Sequence, residues 1–240
     1  MITLLSWLWW WVLPVRKGLA IQNLNLCFPQ LPAATIRQSM LLLLRSMWML
    51  LRGNRAALSL PPGIENGGVL LAGHGLGWDI ALLTLAERVP VTCFLREPSN
   101  PLIARWIKHL RDRVGIDGLY GRGTYVQAER ALRSGRLVVF VMDQRHNDGI
   151  RTQFLGRSCL TSAAFGRMLQ QHQPKLYGAW QWLEEDTVHA EISALTWKLD
   201  VGIEALTQRS QEWIGQQIAK RPTQWLWLHN RWHIPNQSSD

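Results

Sequence analysis

Cysteine is scarce, with only Cys27, Cys93 and Cys159 in 240 residues. An odd number at wide spacing excludes a disulfide framework and a zinc-ribbon pattern, and fits a reducing compartment. Acidic residues are also few, 17 against 26 lysines and arginines, and the stretch 33–57 contains none. No linker, repeat or low-complexity tract divides the chain. No basic n-region or small-residue cleavage site marks a signal peptide. The apolar N-terminus, Ile2 to Leu13, would span about 18 Å as a helix against a hydrocarbon core of ~30 Å. It is too short to cross a bilayer upright. No zinc finger or other common nucleic-acid signature is present, so nucleic acid is excluded as a partner. His146, His172, His189 and His229 lack metal-ligand spacing and read as ordinary surface or packing histidines.

What is abundant is tryptophan and positive charge: 14 tryptophans, a net charge of +9 and a pI near 10.2. A basic surface seeks anions, and tryptophan favours the bilayer interface, where its apolar body and N–H are both satisfied. The N-terminus carries Trp7, Trp9, Trp10 and Trp11, followed by Arg16 and Lys17. This reads as an interfacial anchor on the cytoplasmic side. The basic, apolar helix expected over Ala33 to Arg52 reads as membrane-facing beside it. Residues 1–60 are thus expected to form a membrane-associating helical segment, and 61–240 an α/β domain.

Three short apolar runs, Val69 to Ala72, Val91 to Leu95 and Leu137 to Met142, read as buried strands. Helices are expected over Ile80 to Arg88, from Asn100-Pro101 to about Val114, over Thr124 to Ser134, Thr161 to Gln171 and Val201 to Lys220. Asn100 before Pro101 is an N-cap signal. Lys175 to Trp182 and Thr187 to Leu195 read as a strand pair. Helices between apolar strands predict a single-domain α/β fold with a mainly parallel mixed sheet flanked by helices. In such sheets ligands sit beyond the carboxyl ends of strands. His74 and Asp143 both fall there, and topology alone suggests that they share one site.

The densest chemistry lies at 73–79, Gly-His-Gly-Leu-Gly-Trp-Asp. Gly73, Gly75 and Gly77 permit a tight turn around His74, and Asp79 follows five residues after the histidine. On one continuous helix that spacing would set the two about 140° apart, so they meet only if the loop folds back. Imidazole held by carboxylate is a general base. The bland alternative is a capping Asp79 beside a loop histidine. A dinucleotide loop, with Glu97 as ribose ligand, is disfavoured by Trp78, which stands where that fingerprint needs glycine or alanine.

Taken in order, these blocks resemble the bacterial lipid A late acyltransferases, within the lysophospholipid/glycerolipid acyltransferase group. His74-x4-Asp79 matches the defining motif, and Asn23-Leu24 through Cys27-Phe28-Pro29 resembles the entry segment. Arg96, and Arg113 with Gly115, resemble the basic second block; Val138 to Gln144 resembles the strand ending in Asp-Gln. Phe154-Leu155-Gly156 resembles the Phe-Phe-Gly that follows it. Pro222, Gln224-Trp225, Trp227 and Arg231-Trp232 resemble the closing motif.

The resemblance implies an O-acyltransferase without cofactor or metal, associated peripherally with the cytoplasmic face of a bacterial inner membrane. It implies acyl carrier protein or acyl-coenzyme A as donor and a lipid or glycolipid acceptor. Related branches acylate lysophospholipids or amino-acid lipids, and a fold-retaining scaffold without chemistry is a further alternative. His74 and Asp79 are then expected as the catalytic dyad. Arg96, Arg113, Gly115, Asp143 and Gln144 are expected to bind substrate, and Gly75 and Gly77 to supply oxyanion contacts. No Gly-x-Ser-x-Gly elbow is visible, so the acceptor hydroxyl is expected to attack the thioester directly.

Overall fold

The computed structural model describes residues 2–12, 15–95, 100–121 and 123–233. Three helices lead: α1 (Ile2–Trp11), α2 (Lys17–Cys27) and α3 (Ala34–Leu51). The α/β part follows with β1 (Ala57–Ser59), β2 (Gly68–Ala72), α4 (Trp78–Ala86), β3 (Val91–Phe94) and α5 (Pro101–Arg113). Next come β4 (Asp117–Leu119), α6 (Thr124–Arg133) and β5 (Leu137–Val141). The chain closes with β6 (Ile150–Phe154), β7 (Arg157–Thr161), α7 (Ala164–His172), β8 (Leu176–Glu184), β9 (Thr187–Ala194) and α8 (Ile203–Lys220).

Seven strands form one sheet in the order β1-β9-β8-β2-β5-β3-β4. Every neighbouring pair is parallel except β8 with β9. The expected mainly parallel α/β sheet is therefore observed. β2 lies inside the sheet and all five of its residues are buried, which is why it reads as an unbroken apolar run rather than an alternating one. Each leucine buried there contributes roughly 1.5–3 kcal/mol.

The N-terminal part differs from a simple amphipathic anchor. α1 is apolar on all sides and packs along α3. α2 was not legible, because Gly18, Asn23 and Asn25 are weak helix formers. It is held instead by tertiary bonds: buried Asn23 donates from Nδ2 to the carbonyls of Trp227 (2.8 Å) and His229 (2.9 Å). No helix among the described residues is long and apolar enough to cross a membrane.

The helix expected from Thr161 begins only at Ala164, because Thr161 ends β7 of a separate antiparallel hairpin. Leu155 and Gly156 connect that hairpin with positive φ, 50° and 75°, the geometry of a two-residue primed turn. At α5 the N-cap expectation holds: Asn100 Oδ1 accepts from the N–H of Leu102 (3.0 Å) and Ile103 (3.3 Å).

Candidate active site

Strand register brings the central pair together. β2 and β5 are adjacent and parallel, with Ala72 opposite Val141. His74 and Asp143 each stand two residues further, so they leave the sheet side by side. Asp143 Oδ1 lies 2.7 Å from His74 Nδ1. Its Oδ2 accepts from the His74 N–H (2.7 Å) and from Trp225 Nε1–H (2.7 Å). The Asp143 side chain is 1% exposed and that of His74 is 25% exposed. Burial alone would raise the Asp143 pKa, but His74 and these hydrogen bonds hold it down at about 2. Burial alone would lower that of His74, yet the Asp143 charge and hydrogen bond, with Asp79 adding, raise it above 6.5. A carboxylate on Nδ1 fixes the proton there and leaves Nε2 as the lone-pair nitrogen. Nε2 lies 3.1 Å from Gln144 Nε2, an amide donor that fits this tautomer.

The expected pairing of His74 with Asp79 is corrected by this geometry. α4 begins at Trp78 and carries Asp79 away from the turn, where its Oδ1 meets Arg111 Nη2 at 3.2 Å. Asp79 still acts on the imidazole through its charge. Arg113, two residues beyond Arg111, is exposed and does not line the site. On a helix two residues are about 200° apart, so only one of these arginines faces inward. Gly115 sits in the exposed turn after α5 with φ 71°, also outside the cavity. Arg96 and Glu97 lie outside the described residues.

The glycine turn is clamped from two sides. Gln181 Nε2 donates to the carbonyls of Gly73 (3.0 Å) and Gly75 (2.9 Å). The Leu76 N–H donates to Gln224 O (2.8 Å), and Leu226 N–H to His74 O (3.2 Å). A Cβ on Gly75 would sit 2.7 Å from the Gln181 carbonyl oxygen. Gly77 has φ 84°, and a Cβ there would meet Val188 at 2.7 Å. The glycines are thus needed for close approach at Gly75 and for both conformation and space at Gly77.

A cavity of about 900 Å³ opens over this pair, lined by His74, Trp78, Asp79, Arg111 and Gln144 together with apolar residues of β3 and β5. A smaller pocket of about 110 Å³ shares His74, Trp78 and Asp79 and is otherwise mostly apolar, with Leu43, Met47 and Leu50 from α3. His146 and His229, read from the sequence as ordinary histidines, line the large cavity, as do Arg16 and Arg145. Arg111, Gln181 and Trp225 belong to the site as well; in the sequence Trp225 stands out by its place in the closing motif and Arg111 only as part of the basic run Arg105 to Arg113, a candidate docking face.

A comparison with curated proteins gives no match. The family model described as bacterial lipid A biosynthesis acyltransferase matches residues 64–234, which include the glycine turn, the strand end at Asp143 and Trp225. The match covers well over half of the chain and the whole of the hydrogen-bonded pair, so the protein belongs to the bacterial lipid A biosynthesis acyltransferase family and is an acyltransferase.

Proposed function

We infer that the protein transfers a fatty acyl group from a thioester, on acyl carrier protein or coenzyme A, to a hydroxyl of a lipid or glycolipid acceptor. The observation that carries this is the His74 imidazole, locked by a buried carboxylate through Nδ1 and lining the large cavity. The acceptor hydroxyl displaces the Gln144 amide from Nε2. Its proton passes to Nε2 as its oxygen attacks the thioester carbonyl. Asp143 stabilises the imidazolium that forms. In this reading Arg111, held by Asp79 and lining the cavity, stabilises the tetrahedral oxyanion with the N–H groups of Gly75 and Gly77, those of Leu76 and Trp78 being bonded to Gln224 O and Gly75 O. Collapse breaks the C–S bond, and the thiolate takes the proton back from Nε2. Asp79 thus positions an arginine, while Asp143 orients the base.

Association with a bacterial inner membrane at its cytoplasmic face is part of the same reading. Leu4, Trp7 and Trp11 of α1 and Met47, Trp48 and Leu51 of α3 are exposed, an apolar surface suited to an interface. The first test is mass spectrometry of lipid extracts from cells with the gene, without it and with His74→Ala. A lipid gaining one acyl group only with the wild-type protein supports the reading. General-base loss should cost at least about 10²–10⁴-fold, so wild-type levels of that lipid with His74→Ala would overturn it.

A further inference from the structure

One wall of the large cavity is lined by the segment after β5 and, from the C-terminal strap of residues 225–232, by His229. Arg16, Arg145, His146 and His229 line it. Arg16 Nη1 bonds the Leu228 carbonyl at 3.2 Å, which fixes it against the strap beside His229. Arg145 Nε bonds Asn147 Oδ1 at 3.1 Å. Neither guanidinium is paired with a carboxylate among the described residues.

Behind this wall lies Arg231, which is fully buried. Its four hydrogen bonds go to neutral oxygens: the carbonyls of Gln144 (2.9 Å) and Leu160 (2.6 Å), Thr161 Oγ1 (2.6 Å) and Gln211 Oε1 (2.7 Å). The carboxylate that acts on it, Asp143, is already committed to His74 and Trp225. A buried cation without its own counter-charge projects a positive field that surrounding water cannot fully screen. The other arginine lining the cavity, Arg111, is neutralised by Asp79. The excess charge is therefore concentrated on the strap side.

His229 lines the cavity as a residue, while its Nδ1 is buried without a partner and is not itself exposed there. Burial, with positive neighbours adding, drives its pKa to about 4. The neutral ring offers one N–H donor and one acceptor.

We propose that this wall is a subsite for a phosphate ester, gripped by Arg16 and Arg145 with His229 as a neutral partner, next to the reacting hydroxyl or thioester. Two guanidinium forks and an imidazole match the several oxygens of one phosphate, which a neutral acceptor would leave unpaired. The phosphate is either that of the donor's phosphopantetheine or that of the acceptor's headgroup. The subsite rests on the acyl-transfer reading for which substrate it holds, and on the cavity alone for its existence.

The experiment measures binding to the full chain by tryptophan fluorescence in two arms. One compares 4′-phosphopantetheine with pantetheine; the other compares phosphatidic acid with diacylglycerol in the same non-ionic micelles. In one arm the phosphorylated probe binds at least about tenfold tighter, and Arg145→Gln or the Arg16→Gln/Arg145→Gln pair removes that preference by roughly 10–100-fold. The arm that responds identifies the source. Arg113→Gln, an exposed change outside the cavity, leaves the preference intact. No phosphate preference in either arm overturns the proposal, as does an equal loss in Arg113→Gln, which would mean diffuse charge. His74→Ala separates the two readings, because it abolishes transfer while keeping the phosphate preference. Transfer lost with no phosphate preference anywhere sinks only the subsite; transfer retained sinks only the base.

Discussion

Replacing Asp143 by asparagine separates the two carboxylates near His74. Asp143 receives three bonds of 2.7 Å, one on Oδ1 from the ring and two on Oδ2 from the His74 N–H and Trp225 Nε1–H. Asparagine has a single oxygen. Turned toward the two donors, it satisfies both and presents its NH₂ to Nδ1. The ring must then accept at Nδ1 and carry its proton on Nε2, so the cavity faces a donor instead of a base. Turned the other way, it sets NH₂ against two donors, leaving buried groups unsatisfied at about 1–3 kcal/mol each. The first orientation wins. Loss of tautomer control in a comparable triad costs on the order of 10⁴, so kcat/KM should fall by about 10³–10⁴ with KM for the thioester little changed. The acid limb of the residual activity should also move down, since burial alone depresses His74. Asp79→Asn should behave differently. Asp79 is 40% exposed and pairs with Arg111, so its loss should cost roughly 10–100-fold through a misplaced arginine. Its acid limb should stay above that of Asp143→Asn. The assay is the pH–rate profile of thioester turnover for both variants. A large acid-limb shift in Asp79→Asn with none in Asp143→Asn would refute the assignment of Nδ1 to Asp143.

In the wild type, kcat/KM should rise with pH through a value above 6.5, because the base works only when neutral and its pKa is raised. Asp143 has the opposite sign. With its pKa lowered from 3.8 to about 2, it contributes about 2 kcal/mol above 3.8 that is lost as pH falls through 2, measurable by urea unfolding along an acid series. Trp225→Phe keeps an aromatic side chain but deletes one donor to Oδ2 and part of a buried ring, so activity should drop about tenfold and stability by at least about 1 kcal/mol, read by kinetics and thermal unfolding. Gly75→Ala should destabilise by roughly 1–3 kcal/mol from its close approach to Gln181. Gly115→Ala meets nothing within 4 Å and should cost only about 1 kcal/mol of left-handed strain with activity kept. Replacing Trp7, Trp11 and Trp48 by serine should abolish co-sedimentation with anionic vesicles while leaving thioester binding unchanged.

The sheet was legible because β2 and β5 are unbroken apolar runs and β3 is broken only by Thr92, with helix signals between them. That His74 and Asp143 sit at strand ends was legible as well. Their registration was not, because strand order is a long-range property: β2 pairs with β5, skipping β3. The local spacing of His74 and Asp79 drew the eye to the wrong partner, since α4 starts between them and turns Asp79 toward α5. Arg113 was expected in the site through the resemblance of its block, whereas helix phase turns Arg111, two residues earlier, toward the cavity. The hairpin of β6 and β7 escaped because its strands are short and largely polar. Arg231 was visible only as a motif letter; its burial among neutral acceptors depends on residues 20 to 87 positions away in sequence, from Gln211 of α8 to Gln144 beyond β5.

The strap also sets when the enzyme becomes competent. Trp225 supplies one of the bonds that hold Asp143, and Leu226 and Gln224 brace the turn around His74. Ser39 of α3 and Asn23 of α2 in turn grip the carbonyls of Trp225 and Trp227. During synthesis the ribosome delivers His74 and Asp143 long before residue 225 emerges. A nascent chain therefore carries His74 and Asp143 without the full set of bonds that orient them, and on the proposed mechanism catalytic competence arrives only when the strap docks between the leading helices and the sheet.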